Sequence, residues 1–181
     1  MNKIPSDERV EILSGHELAR TFARLASQVL EKITDPKDLL LIGIPTRGVH
    51  LSKALAQELE SIAGCSIDQG SLDPTFYRDD LKRVATRIVQ PTELPSPIEG
   101  REVLLIDDVI FTGRTVRAAL EALQNWGRPK RVMLLVMVDR GHREFPIQPD
   151  FCGREVPTSR AESIELRLTD IDGEEGIFLR K

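Results

Sequence analysis

Apolar and polar positions along the chain follow two different periods. Over "SGHELARTFARLASQVLEKI" the residues Leu18, Phe22, Leu25, Ala26, Val29, Leu30 and Ile33 recur at helical spacing, and Ser14 with Glu17 forms a capping-box pattern. "DLLLIGI" (38–44), "REVLLID" (101–107) and "RVMLLVMVD" (131–139) are uninterrupted apolar runs, as in strands buried on both faces. "GVHLSKALAQELESIAG" reads as a helix ending near Gly64, and "TVRAALEALQNWG" as one stopped by Gly127 and Pro129. "CSIDQGSLD" is a weaker strand, with short strand-like pieces around "SIELRLT" and "GIFLRK". This alternation predicts a single α/β domain over residues 1–181 with a parallel central sheet.

From Asp73 to Arg101 neither period holds. Pro74, Pro91, Pro95 and Pro97 are interleaved with Arg78, Lys82, Arg83 and Arg87, and so long a connection in a compact domain is usually functional or mobile. With 40% hydrophobic and 30% charged residues, the 181-residue chain is globular and long enough to bury a real core. A formal charge of −4, from 25 Lys and Arg against 29 Asp and Glu, argues against coating nucleic acid through bulk positive charge. Any RNA or DNA partner therefore needs a local basic patch. Cys65 and Cys152 lie outside any CxxC pattern and read as reduced apolar residues, while His16, His50 and His142 lack metal-ligand spacing. No apolar run approaches the ~20 residues that span a bilayer, and no signal peptide leads the chain, so a cytoplasmic protein with no membrane partner is expected.

In open α/β sheets, ligands bind beyond the carboxyl ends of the strands. "PTRG", "DDVIFTGRT" and "DRGHRE" occupy that edge. A lone Asp at a strand end commonly accepts backbone hydrogen bonds; Asp107 and Asp108 together repel each other and call for cations or ligand donors. Side chains of adjacent residues diverge on extended backbone, and as acceptors these two suit a sugar diol, directly or through Mg²⁺. The Thr112 and Thr115 hydroxyls, and N–H groups made accessible by Gly113, open a helix that favours anions; either threonine could equally be a plain N-cap. Neither G-x-x-x-x-G-K-[ST] nor G-x-G-x-x-G occurs, which removes support for a Walker loop or a dinucleotide site. A diol at one end and a phosphate at the other describe a ribose 5-phosphate unit.

"VLLIDDVIFTGRT" resembles the PRPP signature of the type I phosphoribosyltransferases, and "FYRDDL", "GRP", "VDRGHREFPIQPDF" and "VPTSRAE" narrow the resemblance to the PyrR family of pyrimidine operon attenuators. The likeness runs from the first helix to about Leu168. It implies a central, mainly parallel sheet flanked by helices, with a small hood and a mobile loop at about 73–101. It also implies a Mg²⁺-dependent uracil phosphoribosyltransferase that makes UMP from uracil and PRPP. Asp107 and Asp108 would hold the ribose hydroxyls and, through those hydroxyls or water, the metal; Thr112, Gly113, Arg114 and Thr115 would cradle the phosphate, with Val109 and Phe111 also facing substrate. Thr46 and Arg47 would meet the diphosphate, in a loop where Pro45 stands in place of a common basic residue. Arg78, with Arg83 and Arg87 behind it, would neutralise the leaving group, and Arg140 and Ile164 would flank the uracil.

The same resemblance implies a second activity, binding of the operon leader mRNA under control of UMP or UTP. Arg24, Lys32, His142, Arg143 and Arg154 are the candidates for that surface, with Arg20 beside them on the first helix. Arginines on an amphipathic helix more often form just its solvated face. Ala23, Ser27 and Gln148 stand where better-known regulators are more polar or basic. Two alternatives stay open, a nucleotide-sensing regulator with little catalysis and a purine-specific transferase. A homodimer or dimer of dimers is expected.

Overall fold

The computed structural model describes residues 9–80, 89–95 and 97–181. Parallel strands β2 (Leu39–Gly43), β3 (Asp68–Ser71), β4 (Glu102–Ile110), β5 (Arg131–Asp139) and β6 (Phe151–Glu155) form a sheet in the order β3-β2-β4-β5-β6. Helices α1 (Gly15–Lys32) and α2 (Arg47–Ala63) cover one face and α3 (Arg114–Leu123) the other. The uninterrupted apolar runs are explained by this sandwich. Along β4, Leu104 and Ile106 enter the cluster under α1 and α2, while Val103 and Leu105 enter the one under α3. All four are fully buried, each stabilising the fold by roughly 1.5–3 kcal/mol.

The helix ends follow local chemistry. Ser14 and Glu17 form the reciprocal capping box at the start of α1, and α2 ends at Gly64 in the left-handed conformation that glycine allows. Two strands lack a clear sequence signal. β1 (Arg9–Ser14) and β6 fall in stretches to which the apolar pattern assigns no element. β1 pairs antiparallel with β8 (Gly176–Arg180), which pairs with β7 (Ser163–Arg167), giving a three-stranded hood. Between β7 and β8 sits the short helix α4 (Thr169–Asp172).

Within the 73–101 segment, Thr75–Tyr77 makes a 3₁₀ turn and Glu93 bridges to Ser71. Lys82, Arg83 and Arg87 lie outside the described residues.

Candidate active site

β4 runs past the sheet core and delivers Asp107 and Asp108 to its carboxyl rim. Successive side chains on a strand face opposite ways, so the two carboxylates separate. Asp107, 8% exposed, accepts the Asp108 N–H at 3.0 Å and lines a cavity of about 330 Å³ with Val109, Phe111 and the Thr112–Thr115 turn. Asp108 is outside that lining and accepts the Val109 N–H at 2.8 Å. A group able to hold a diol and a turn able to hold an anion thus face one cavity.

Neither Thr112 nor Thr115 is the N-cap of α3. Gly113 takes that place at φ 88°, where a side chain is disfavoured, and supplies none to cap the first turn. The Arg114 N–H makes only a long 3.4 Å contact with Thr112 Oγ1. Such a helix start, with hydroxyls on each side, favours an anion.

Arg78 lines the same cavity and donates to Thr115 Oγ1 at 2.7 Å. It also makes a paired interaction with both oxygens of Asp80, whose carboxyl it holds below the usual carboxylate range. Arg114 donates to Glu144 and to Asp79, and these acids raise its pKa. Sequence reasoning does not single out Asp79, Asp80 or Glu144. A signal for Asp79 and Asp80 is present in "YRDD"; nothing near Glu144 in the chain points to a partner thirty positions away.

The loop after β5 closes onto the phosphate-type turn. Glu144 and Phe145 donate their N–H groups to the Thr112 carbonyl at 2.9 and 3.1 Å. Arg143 donates to the carbonyls of Phe111 and Ile147 and pairs with Asp139. A larger cavity of about 550 Å³ opens beside it, lined by Arg140, His142, Arg143, Gln148 and Thr158 among others. Arg140, 7% exposed, stacks 4.1 Å above the Phe111 ring and donates to Thr158, Ser159 and Glu162; burial lowers its pKa. His142, at φ 62°, meets the Phe111 ring edge-on at 5.7 Å.

Two nominated groups stand apart from these cavities. The Pro45–Thr46 peptide is cis, and Thr46 lines a cleft of about 240 Å³ with Gln90 and Glu93. Gly48 packs so tightly that a Cβ would lie 2.3 Å from the Ile106 carbonyl, which presses the loop against β4. Arg47 pairs with Asp172 at 3.0 Å. Ile164 packs in the hood against the α1–α2 core and is not among the residues lining the larger cavity.

The RNA candidates divide. Arg24 donates to the carbonyls of Cys152 and Gly153, Lys32 pairs with Asp150 at 2.9 Å, and Arg154 donates to the Ile12 carbonyl. These three gather along the edge strand β6. Arg143 lies away from them at the rim, where its guanidinium holds the loop, and His142 lines the same cavity. Cys65 and Cys152 are free thiols, and burial raises the pKa of Cys152. No helix among the described residues is long and apolar enough to cross a membrane.

The phosphoribosyl transferase domain model matches residues 9–164. The chain is 52% identical over 175 residues to the bifunctional protein PyrR of Thermosynechococcus vestitus, covering 96% of each chain. It is 50% identical over 172 residues to that of Microcystis aeruginosa, covering 95% of this chain and 97% of the other. It is 46% identical over 177 residues to that of Corynebacterium glutamicum, covering 95% and 92%. Among solved structures it resembles a hypoxanthine phosphoribosyltransferase from Trypanosoma cruzi, with TM-score 0.73, 16% identity and 97% and 96% of the chains covered. That likeness is one of fold.

Proposed function

The chain belongs to the phosphoribosyltransferase family and, within it, to the PyrR bifunctional proteins, and on that premise we propose that it makes UMP and diphosphate from uracil and PRPP and regulates pyrimidine genes by binding their mRNA. The observation that carries the catalytic half is the shared cavity in which Asp107 faces the Thr112–Thr115 turn. Asp107 accepts from the ribose hydroxyls, with Asp108 beside it. Thr112, Thr115 and the start of α3 hold the 5-phosphate, fixing C1 of the ribose at the rim. Uracil occupies the side of Arg140 and the loop after Val138, with Val109 and Phe111 beneath the sugar.

In the reaction the bond from C1 to the diphosphate oxygen breaks, the bond from C1 to uracil N1 forms, and the N1 proton passes to solvent. Positive charge builds on the ribose and negative charge on the leaving diphosphate. Arg47 and Thr46 meet that negative charge, and Arg78 supports it once released from Asp80. Among the described residues no cluster of three or more His, Cys, Asp or Glu side chains could cage a metal. Asp107 and Asp108, as hard carboxylates, would suit Mg²⁺ brought in with PRPP and water, and the ion would supply charge neutralisation for the diphosphate. A cytoplasmic setting and a symmetric dimer fit this reading.

The test is nucleotide formation from PRPP and Mg²⁺ with uracil, orotate, hypoxanthine and guanine offered separately. Product with uracil alone is expected. Product with a purine base would move the chain to a different substrate, and no product from a folded protein that still binds UMP would make it a sensor.

A further inference from the structure

We propose that Asp172, in the hood, is a positioning residue for the diphosphate end of the reaction, acting by fixing the guanidinium of Arg47. The inference rests on reading Pro45–Gly48 as the diphosphate loop. Arg47 is the first residue of α2, and its Nη2 donates to Asp172 Oδ1 at 3.0 Å. The second Asp172 oxygen accepts the Leu168 N–H at 3.0 Å, and the Asp172 N–H donates back to the Leu168 carbonyl at 2.8 Å. Both oxygens are therefore committed, and the carboxylate has little freedom to swing.

The pair is half-buried, with side chains 29% and 16% exposed, so solvent screens it less than a surface contact. Arg47 Nε is buried with no hydrogen-bond partner among the described residues. Arginine otherwise carries much rotamer freedom, and holding one end of its planar fork lowers the ordering cost when an anion arrives.

A plain structural strap is the competing account. The hood has its own restraints, because Glu174 pairs with Arg9 and Arg167 while Glu165 pairs with Arg167 and Arg180. Among the described ion pairs, Arg47–Asp172 is the one that leaves the hood and reaches the loop at the start of α2.

The experiment compares wild type, Asp172→Ala, Asp172→Asn, Asp172→Glu, Arg47→Ala and the double variant Arg47→Ala/Asp172→Ala. Readouts are the KM for PRPP and for uracil, kcat, and calorimetric binding of diphosphate and of UMP. Asp172→Ala is expected to raise the PRPP KM and weaken diphosphate binding by roughly tenfold to a hundredfold, the scale of one charged hydrogen bond. UMP affinity and the uracil KM should stay near wild type, and Asp172→Glu should recover part of the loss. In the Arg47→Ala background, Asp172→Ala should cost nothing more. Asp172→Asn keeps an acceptor for the Leu168 N–H and serves as the folded counterpart.

Unchanged diphosphate binding would overturn the proposal, as would losses that add to those of Arg47→Ala. Parallel loss of UMP and diphosphate affinity would make Asp172 a strap. Failure of the folded wild type to bind PRPP or diphosphate would sink the diphosphate-loop reading itself, a result separable from any effect of the variants.

Discussion

Two regions of this molecule carry the chemistry that its sequence nominates, and they assemble by opposite routes. Asp107 to Thr115 is one continuous stretch at the end of β4, so a strand end and a helix start bring Asp107 and the Thr112–Thr115 turn to one cavity, which Arg78, Asp80 and Glu144 also line. The basic residues nominated for RNA are dispersed, and folding sorts them by what each packs against. Arg24, Lys32 and Arg154 reach the edge strand β6, whereas Arg143 turns inward to Asp139 and the Phe111 carbonyl. Residues close in sequence share an environment by geometry; an isolated arginine acquires its role from its neighbours.

The largest expected effect breaks the first region. Asp107→Asn with Asp108→Asn should lower kcat/KM for UMP formation by about a hundredfold or more, the order seen when a stabilising group at a reaction centre is removed. Because Asp107 is buried, thermal unfolding must be followed alongside. Wild-type turnover in the double variant would place the site elsewhere.

Next in size is Arg143→Gln, which tests whether that residue belongs to the rim or to a separate RNA surface. Without its bonds to Asp139, Phe111 and Ile147 the fold should be weaker by about 2–3 kcal/mol, lowering Tm by roughly 5–10 °C. Catalysis should fall along with RNA binding. Loss of RNA binding alone, at unchanged Tm and turnover, would return Arg143 to the RNA surface.

The Arg24→Ala, Lys32→Ala and Arg154→Ala variants sharpen the other half. Each should weaken operon-leader RNA binding with UMP present and flatten the log–log salt dependence by up to about one unit for each phosphate that is no longer neutralised. UMP synthesis should be unaffected. A gel-shift titration across salt concentrations decides it, since unaltered binding in all three would empty the β6 edge of RNA-binding residues.

The smallest effect concerns the opposite end of β4, as a control for position. Burial pushes the Glu102 carboxyl upward, but the Thr34 N–H, Arg131 and Lys130 outweigh it and hold the pKa below its ordinary 4.5. A depressed carboxyl contributes stability that is present above the unfolded value and lost as pH falls through the lower folded value. Acid unfolding of wild type should therefore steepen below about pH 4.5, and Glu102→Gln should shallow that slope while leaving turnover at neutral pH intact. Identical acid profiles would remove Glu102 from the acid response.

The legible part of the fold is the part with a strong period. Uninterrupted runs identify β2, β4 and β5, and helical spacing with the Ser14–Glu17 box identifies α1. β1 and β6 escape such reading because each is an edge strand of mixed burial, with a pattern that resembles a loop. In the candidate site, the carboxylates and the turn are readable as a local motif. Their counter-charges are not, because Arg114 meets Glu144 and Arg47 meets Asp172 only after the chain has folded back.

Sequence by itself determined the sandwich-buried strands, the family, and a rim stretch that holds the paired carboxylates and the phosphate-type turn in one short segment. These depend on periodicity and on neighbours along the chain, which survive in a linear text. Tertiary structure alone decided that Asp107 faces the cavity while Asp108 stays outside it, that Gly113 rather than a threonine begins α3, and that Arg143 supports the rim. It also decided that the hood supplies a carboxylate to Arg47. Two of those outcomes, Arg143 at the Phe111 carbonyl and Asp172 at Arg47, turn on distances between segments far apart in the chain, and charge at such distances has no trace in local order.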